Sequence, residues 1–328
     1  MKILVTGGCG FIGSNFIRYM LDKYPDCEIL NLDLLTYCVK EKTEEDVKKK
    51  FEGLPDPQKD RFKFRKHDIC DKKTSLFVKE YPDAIINFAA ETHVDRSIKY
   101  SDSDAFIHTN VQGVKELLEA AKKYNVKKFI QISTDEVYGS LKRGSFKETS
   151  LLHPNSPYAA SKAAADHLAL AYYTTFKTPV VITRSSNNFG PYQFPEKVIP
   201  LFITNLLENK KVPLYGDGMN VRDWLYVMDN CRAIDTVLRK GKPGEIYNIG
   251  GGYEIPNIKL TRMILRLLNK SDNMIKYVPD RLGHDRRYSL DSTKIKKLGW
   301  RPTKDFNIAI KETIEWYKNN RSWWENMK

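Results

Sequence analysis

The sequence predicts an α/β fold, built on a doubly wound parallel sheet with a smaller, mixed α/β C-terminal lobe. Apolar runs of strand length alternate with helical patterns from residue 2 to about residue 183, which is typical of parallel strands joined by helices. Beyond about residue 185 this alternation fades, and prolines, glycines and aromatic residues become frequent. We therefore predict a sheet domain at 1–185 and a second lobe at 186–328, with the chain free to cross between them more than once.

The bulk composition predicts a cytoplasmic protein without a membrane partner. A chain of 328 residues can bury a large core and a second lobe. The N-terminus runs straight into a strand pattern and lacks the apolar region of a signal peptide, and no apolar run approaches the length of a membrane span. The five cysteines are scattered and form no C-x-x-C pair, which favours reduced thiols and argues against a metal site.

The formal charge of +13 leaves two interpretations open. One is a soluble, lysine-rich surface, and the other is attraction to an anion such as nucleic acid or a phosphorylated small molecule. Basic residues are interleaved with acidic ones, which favours the first. We therefore predict no nucleic-acid partner. A binding module that uses the charge for nucleotide or nucleic acid remains the non-enzyme alternative.

The first sixty residues begin with a dinucleotide-binding pattern. An apolar strand, Lys2–Thr6, leads into a glycine-rich turn, a helix from about Phe11 to Tyr24 and a second strand, Glu28–Leu32, which ends at Asp33. This order indicates a Rossmann-type fold. The glycines that allow the backbone to approach a pyrophosphate are Gly7, Gly10 and Gly13.

The end of the second strand favours NAD over NADP. Asp33 lies twenty residues after Gly13 and can accept hydrogen bonds from the ribose hydroxyls. No arginine occurs in the following Leu34–Tyr37, where a 2′-phosphate would need one. We therefore predict an NAD-binding domain at 1–185.

The next segments are predicted to complete one half of the sheet. A surface excursion at 37–61, with a short charged helix at 44–51, precedes a strand at Phe62–Lys66. A fourth strand is predicted at 84–89 and a long helix at 102–124. Asp68 has two possible roles, a contact to the adenine amino group or a cap for a helix that starts near Lys72.

Two adjacent acids at the end of the fifth predicted strand, 128–132, are the centre of the predicted site. Asp135 and Glu136 follow this buried strand by a few residues. Ligands of open parallel sheets bind outside the carboxyl ends of the strands, so both acids are expected in the ligand crevice. The alternative is a pair that caps a helix at the strand exit.

The following helix, predicted at 156–176, carries Tyr158 and Lys162. Residues four apart share a helix face, and a lysine ammonium favours the phenolate of a neighbouring tyrosine, which makes it a usable base. The structural alternative is an ordinary helix residue beside a solvated lysine. The sixth strand is predicted at 179–183.

The predicted C-terminal lobe carries cations in its loops. Lys197, Arg222 and three arginines within 280–287 could bind the oxygens of a diphosphate, because arginine forks match phosphate geometry. Surface salt bridges are the alternative.

Several motifs together resemble one enzyme family. The motifs are Thr6–Gly13, Asp33–Thr36, Ala89–Ser97, Ser133–Gly139, Tyr158-x-x-x-Lys162, Ser186–Tyr192 and Asp280–Tyr288. They are similar to those of the dTDP-glucose 4,6-dehydratases, which are extended short-chain dehydrogenase/reductase enzymes. The likeness spans about residues 2–316. It departs at Cys38–Lys40, where the family usually has Ala-Gly-Asn.

The resemblance implies sets of site residues. The residues that it and the glycine pattern assign to the NAD site are Gly7, Gly10, Phe11, Ile12, Gly13, Asp33, Leu34, Leu35, Thr36, Asp68, Ile69, Phe88, Ala89, Ala90, Glu91, Thr92, Thr109, Tyr158, Lys162 and Asn188. Those that it assigns to the sugar nucleotide are Thr92, Thr134, Asn187, Lys197, Val198, Pro213, Leu214, Tyr215, Arg222, Asn257, Asp280, Arg281, Leu282, Gly283 and His284. The catalytic set is Thr134, Asp135, Glu136, Tyr158 and Lys162.

The resemblance also implies the reaction and a homodimer. Tyr158, helped by Lys162, would remove the C4 hydroxyl proton of the sugar while NAD takes a hydride from C4. Glu136 would then take the C5 proton, and protonated Asp135 would donate to the departing C6 hydroxyl. Helices at 102–124 and 156–176 would form the dimer. Alternatives are a UDP-glucose 4,6-dehydratase or a nucleotide-sugar 4-epimerase, the latter without a need for Asp135 and Glu136.

Overall fold

The computed structural model describes residues 1–36, 59–99 and 103–327, together with Val47 and Phe51. The predicted helix at 44–51 and the atypical Cys38–Lys40 therefore lie outside the described residues, apart from Val47 and Phe51. The strands are β1 (Lys2–Thr6), β2 (Glu28–Asp33), β3 (Phe62–Lys66), β4 (Ala84–Asn87), β5 (Phe129–Thr134), β6 (Val180–Ser185), β7 (Asn187–Phe189), β8 (Val212–Tyr215), β9 (Val221–Tyr226), β10 (Ile246–Ile249), β11 (Glu254–Pro256) and β12 (Ile275–Val278).

The α-helices connect these strands in the alternation that the sequence predicts. They are α1 (Phe11–Lys23), α2 (Thr74–Glu80), α3 (Val94–Lys99), α4 (Ser103–Ile107), α5 (Val114–Lys123), α6 (Pro157–Phe176), α7 (Val198–Leu207), α8 (Val227–Lys240), α9 (Asn257–Leu267), α10 (Thr293–Lys297), α11 (Phe306–Asn319) and α12 (Arg321–Trp324). Among the described residues, no helix is both long and apolar enough to cross a bilayer.

Seven parallel strands form the main sheet in the order β10-β6-β5-β4-β1-β2-β3, which confirms the predicted Rossmann-type fold. From β1, strands β2 and β3 extend the sheet in one direction. From β4, strands β5, β6 and β10 extend it in the opposite direction. The switch point therefore lies between β1 and β4, where α/β sheets open a ligand crevice. β10 comes from the predicted second lobe, so the chain returns to the sheet after leaving it.

The two faces of the sheet are covered by different helices. Strand residues such as Ile3 and Val181 pack with Phe16 of α1 and Ile234 of α8 in one apolar cluster. On the opposite face, alternate strand residues pack with helices α5 and α6. Strands buried on both faces explain the continuous apolar runs from which they were predicted.

The C-terminal lobe has two small sheets, β11-β9-β7 and β12-β8. Phe189, Phe202, Trp224 and Tyr317 belong to its own apolar core, together with residues of α7, α9 and α11. Helices and short strands are mixed in this part of the chain, as predicted for the second lobe.

The predicted helix at 102–124 is wrong in one respect, because it is not continuous. A π-helical segment, His108–Gly113, separates α4 from α5. This segment carries Asn110, whose side chain bonds both the backbone N–H and the carbonyl of Glu91 and donates to Ser161 Oγ. These bonds tie the helix to the loop after β4 and to α6, and π segments often occur at such functional sites. The hydrophobic periodicity of the sequence does not indicate these hydrogen bonds or the π-helical segment.

Candidate active site

A large cavity follows the carboxyl ends of β1, β4, β5 and β6 and continues toward the C-terminal lobe. All the residues predicted to bind the cofactor line this cavity except Leu35. Leu35 instead turns its side chain into the core and is 5% exposed, while its backbone N–H donates to Asp33 Oδ1 at 2.9 Å. The adjacent Leu34 and Thr36 keep their places in the wall.

The glycine turn forms a cradle that fits a pyrophosphate. Gly7 has φ +68°, and a Cβ there would lie 2.5 Å from the backbone nitrogen of Ala89. A Cβ at Gly13 would lie 2.6 Å from Gly7 O. Asp33 Oδ2 accepts the Cys9 N–H at 2.9 Å, which holds the turn against the end of β2. Close backbone packing with free N–H groups at the start of α1 suits the diphosphate of a dinucleotide.

Gly7→Ala is expected to lower both stability and NAD affinity. Positive φ with a side chain costs about 1–3 kcal/mol, and the new Cβ would also push the β1 turn away from Ala89. We expect a melting temperature lower by a few degrees and NAD binding weaker by at least about tenfold, measured by thermal unfolding and titration calorimetry. Gly144→Ala is the control, because Gly144 has φ +79° but a Cβ added there would meet no atom within 4 Å. Unchanged NAD affinity in Gly7→Ala would contradict the cradle.

Several residues of the cavity wall were not predicted from the sequence. They are Leu32, His67, Ile132, Ser133, Ser185, Ser186, Gln193 and Phe194. Ser185 and Ser186 end the sixth strand, so the strand-end rule applied to β5 would also have found them. Gln193 and Phe194 lie in an irregular segment whose position depends on packing between lobes.

Asp68 lines the cavity, and its two predicted roles can be compared. Its Oδ1 accepts the Cys70 N–H at 2.9 Å, whereas α2 begins only at Thr74. The structure therefore does not support the helix-cap alternative. Asp68, Cys70 and His108 each have an atom that could bind a metal ion, and these atoms lie within 4.8 Å of one another. However, burial raises the pKa of the Cys70 thiol to about 12, and the charge of Asp68 adds to this shift. The Cys70 thiol is thus protonated and donates to the His108 carbonyl at 3.2 Å.

The acid pair lies where β5 ends. Thr134 closes the strand, and its Oγ1 accepts the Glu136 N–H at 3.2 Å, which starts a 3-10 turn at Asp135–Tyr138. The turn points both acids into the cavity wall. Asp135 is 2% exposed, and its Oδ2 has no hydrogen-bond partner among the described residues. A buried acid in this position can remain neutral and donate a proton.

The two neighbouring acids experience different electrostatic surroundings. Burial raises the pKa of Asp135 well above its usual value, and the charges of Glu136 and Asp223 raise it further. Burial also raises the pKa of Glu136, but Arg281, Arg222 and Lys197 oppose that shift. These three cations stabilise the ionised form of Glu136. The arrangement therefore favours Asp135 as the acid and Glu136 as the base.

Tyr158 and Lys162 share the buried face of α6, as the spacing predicted. Burial raises the pKa of Tyr158, and so do Glu136 and Asp135, whereas burial lowers the pKa of Lys162 to about 8. The expectation that Lys162 lowers the pKa of Tyr158 is not met, because the Lys162 ammonium donates to the carbonyl of Ile132 at 2.6 Å. Burial is the largest cause of the raised Tyr158 pKa, and the two acids add to it. Those acids follow a strand, so the periodicity of the helix could not predict their effect.

The residues predicted to bind the sugar nucleotide divide into two groups. Thr92, Thr134, Asn187 and Lys197 line the cavity. The others lie later in the chain and are not among the residues that line it. Among them, Arg222 and Arg281 act electrostatically on Glu136. Asp280 Oδ1 and His284 Nδ1 lie 2.6 Å apart.

Two of the three arginines predicted for phosphate form salt bridges instead. Arg286 makes a two-fold contact with Asp217, at 2.9 Å for each bond. Arg287 pairs with Glu254 at 2.7 Å. Of these three arginines, Arg281 is the one whose charge lowers the pKa of Glu136.

Fold and cavity together define a dinucleotide-dependent enzyme of the extended short-chain dehydrogenase/reductase class, with an added acid pair. The family model for GDP-mannose 4,6 dehydratase matches residues 4–313. The dTDP-glucose 4,6-dehydratase of Streptomyces niveus is 47% identical over 333 residues, covering 100% of this chain and 96% of that protein.

Solved structures give the same result. The dTDP-glucose 4,6-dehydratase of Streptomyces venezuelae, crystallised with NAD, is 48% identical with a TM-score of 0.93. The enzyme of Bacillus anthracis, also in complex with NAD, is 49% identical with a TM-score of 0.90. Both comparisons cover 100% of each chain. The chain belongs to the GDP-mannose 4,6 dehydratase family in the broad sense, and within it to the dTDP-glucose 4,6-dehydratases.

Proposed function

We propose that this protein is an NAD-dependent hydro-lyase that converts dTDP-glucose to dTDP-4-keto-6-deoxyglucose. The observation that carries this proposal is the unequal pair Asp135 and Glu136: burial and neighbouring carboxylates raise the pKa of Asp135, whereas three cations oppose the rise in the pKa of Glu136. A 4-epimerase needs no such pair, whereas elimination of water across C5 and C6 needs both an acid and a base. Full-length similarity to dTDP-glucose 4,6-dehydratases supports the same reaction.

Each site residue then has a chemical task. Tyr158 removes the proton of the C4 hydroxyl, and Thr134 holds the C4 oxygen by a hydrogen bond. Bound NAD supplies a hydride acceptor for C4 and later a hydride donor for C6. The C4 ketone acidifies the C5 hydrogen, which Glu136 removes while Asp135 protonates the departing C6 hydroxyl. When C6 receives its hydride, C5 is reprotonated, which completes the product. Lys162 lines the same cavity, and its ammonium donates to the Ile132 carbonyl.

Incubation with dTDP-glucose is expected to give a product lighter by one water, and in deuterated water that product should carry label at C5. Mass spectrometry and NMR measure both. A 4-epimer of unchanged mass would overturn the dehydratase proposal in favour of an epimerase. Kinetics with UDP-glucose alongside dTDP-glucose tests the choice of nucleotide, for which the family similarity favours thymidine.

We also propose a homodimer that forms through α4, α5 and α6. Two large apolar side chains on these helices support it, because Ile107 is 53% exposed and Phe176 is 49% exposed. Burial of such a surface between two copies would remove apolar area from water. A monomeric mass in analytical ultracentrifugation would contradict this proposal.

We further propose a cytoplasmic location, with which the free thiols of Cys9, Cys27, Cys70 and Cys231 agree.

A further inference from the structure

Asp285 is a buried carboxylate whose hydrogen bonds join three separate parts of the chain. The residue is 7% exposed. Its Oδ1 accepts the Asn155 side-chain N–H at 2.6 Å, and its Oδ2 accepts the Tyr288 hydroxyl at 2.6 Å. Burial raises the pKa of Tyr288 well above its usual value, and Glu136 raises it further. Tyr288 is therefore a neutral donor in this pair.

The backbone carbonyl of Asp285 holds Arg222 in place. Arg222 Nη2 donates to this carbonyl at 2.9 Å, and Nη1 donates to the carbonyl of Val221 at 2.8 Å. The guanidinium lies over the Tyr288 ring, 4.3 Å from its centroid. Asn220 donates to the same Asp285 carbonyl at 3.1 Å. In the described part of the chain these bonds of Arg222 end on carbonyls and not on a carboxylate. Its charge acts on Glu136 at a distance and is not neutralised by a direct salt bridge among the described residues, so it can also attract a diphosphate.

The Asn155 bond links Arg222 to the helix that carries the catalytic tyrosine. Asn155 directly precedes Ser156, whose Oγ accepts the Ala159 N–H at 3.1 Å and caps α6. Gly283, three residues after Asp280, passes so close that a Cβ there would lie 2.8 Å from the Asn155 carbonyl oxygen. The start of α6 and the loop 280–285 are therefore in direct contact. Tyr158 lies in the first turn of that helix.

We propose that Asp285 is a positioning residue which, through Asn155 and Tyr288, holds Arg222 for the diphosphate of the substrate and fixes it relative to the helix of Tyr158. This inference rests on the proposed function, since it assumes a nucleoside diphosphate in the site. Asp285 does not touch the reacting atoms. Its effect is to set where a diphosphate binds, and thereby where the attached sugar meets Tyr158 and the acid pair.

The neighbouring residues show why this role belongs to Asp285. Arg286 and Arg287, which follow it directly, are paired with Asp217 and Glu254 near the surface. An exposed ion pair of this kind contributes little. Asp285 instead uses its carboxylate to orient a loop and its carbonyl to orient a cation. We therefore expect the Asp285 carboxylate to affect the affinity of the site for the diphosphate.

The test compares Tyr288→Phe, Asp285→Asn and Asn155→Ala in the NAD-loaded enzyme. Tyr288→Phe keeps the ring under Arg222 and removes one hydrogen bond to Asp285, and Asn155→Ala removes the other at an exposed position. Calorimetry measures the Kd for dTDP, and steady-state kinetics measures KM and kcat for dTDP-glucose. We expect Kd and KM to rise about fivefold in each single-bond variant and about tenfold or more in Asp285→Asn. We expect kcat to change by less than about threefold and NAD content to stay the same.

Asp217→Asn is the matched control, because it weakens the exposed pair with Arg286 in the same loop without reaching Arg222. Its Kd for dTDP should equal that of the unmodified protein. If Tyr288→Phe and Asn155→Ala lower the melting temperature but leave Kd and KM unchanged, Asp285 is only structural and the inference is overturned. If the unmodified protein binds no dTDP and dehydrates no dTDP-glucose, the proposed function itself fails, which is a different result.

Discussion

Glu136→Gln is expected to form NADH when mixed with dTDP-glucose but to lose elimination of water by about 10²–10⁴-fold. The amide matches the carboxylate in shape but cannot accept the C5 proton. Oxidation at C4 depends on Tyr158 and should continue. The substitution also removes one charge that raises the pKa of Asp135, but burial is the larger cause of that shift. Asp135 should therefore remain a proton donor.

The measurement separates the two steps in one experiment. Absorbance reports NADH, and mass spectrometry reports the product that lacks one water. Glu315→Gln is a suitable control, since Glu315 lies on the exposed side of α11 and pairs with Lys318 at 2.7 Å. Normal elimination by Glu136→Gln would show that Glu136 is not the base. Loss of both steps would show that Glu136 is needed for the sugar to bind or to be oxidised.

Tyr158→Phe is expected to stop the reaction one step earlier, with neither NADH nor dehydrated product formed. A loss of about 10²–10⁴-fold in the rate of NADH formation follows if the phenol is the base for the C4 hydroxyl. Burial and the two acids raise the pKa of Tyr158, so the phenol must first release its own proton to water before the phenolate can accept the proton of the C4 hydroxyl. Formation of this phenolate is then part of the oxidation, which makes the step sensitive to loss of the hydroxyl.

Rapid mixing with dTDP-glucose and detection of NADH absorbance measures this loss. Tyr173→Phe removes a hydroxyl from the same helix, outside the residues that line the cavity, and should retain the unmodified rate. Retained dTDP binding in Tyr158→Phe would show that the defect is chemical. NADH formation at the unmodified rate would assign the proton transfer to another group.

These two predictions depend on features that the sequence determined by itself. Strand-length apolar runs alternating with helices predicted the sheet, because parallel strands buried on both faces leave continuous apolar stretches. Glycine spacing predicted the cradle at Gly7 and Gly13, and the strand-end rule placed Asp135 and Glu136 in the crevice. The four-residue spacing placed Tyr158 and Lys162 on one helix face. In each case the decisive geometry is local, so it follows from periodicity.

Other features were decided only by tertiary structure. Lys197 and Arg281 lower the pKa of Glu136, and Arg222 lowers the pKa of both acids. All three cations lie far along the chain and meet the acid pair only after the second lobe packs. Arg286 and Arg287 resemble Arg281 in sequence, yet neighbouring carboxylates pair with them. The Lys162 ammonium bonds a strand carbonyl, and Leu35 turns inward. Burial and long-range charge set these outcomes, and neither has a local pattern in the sequence.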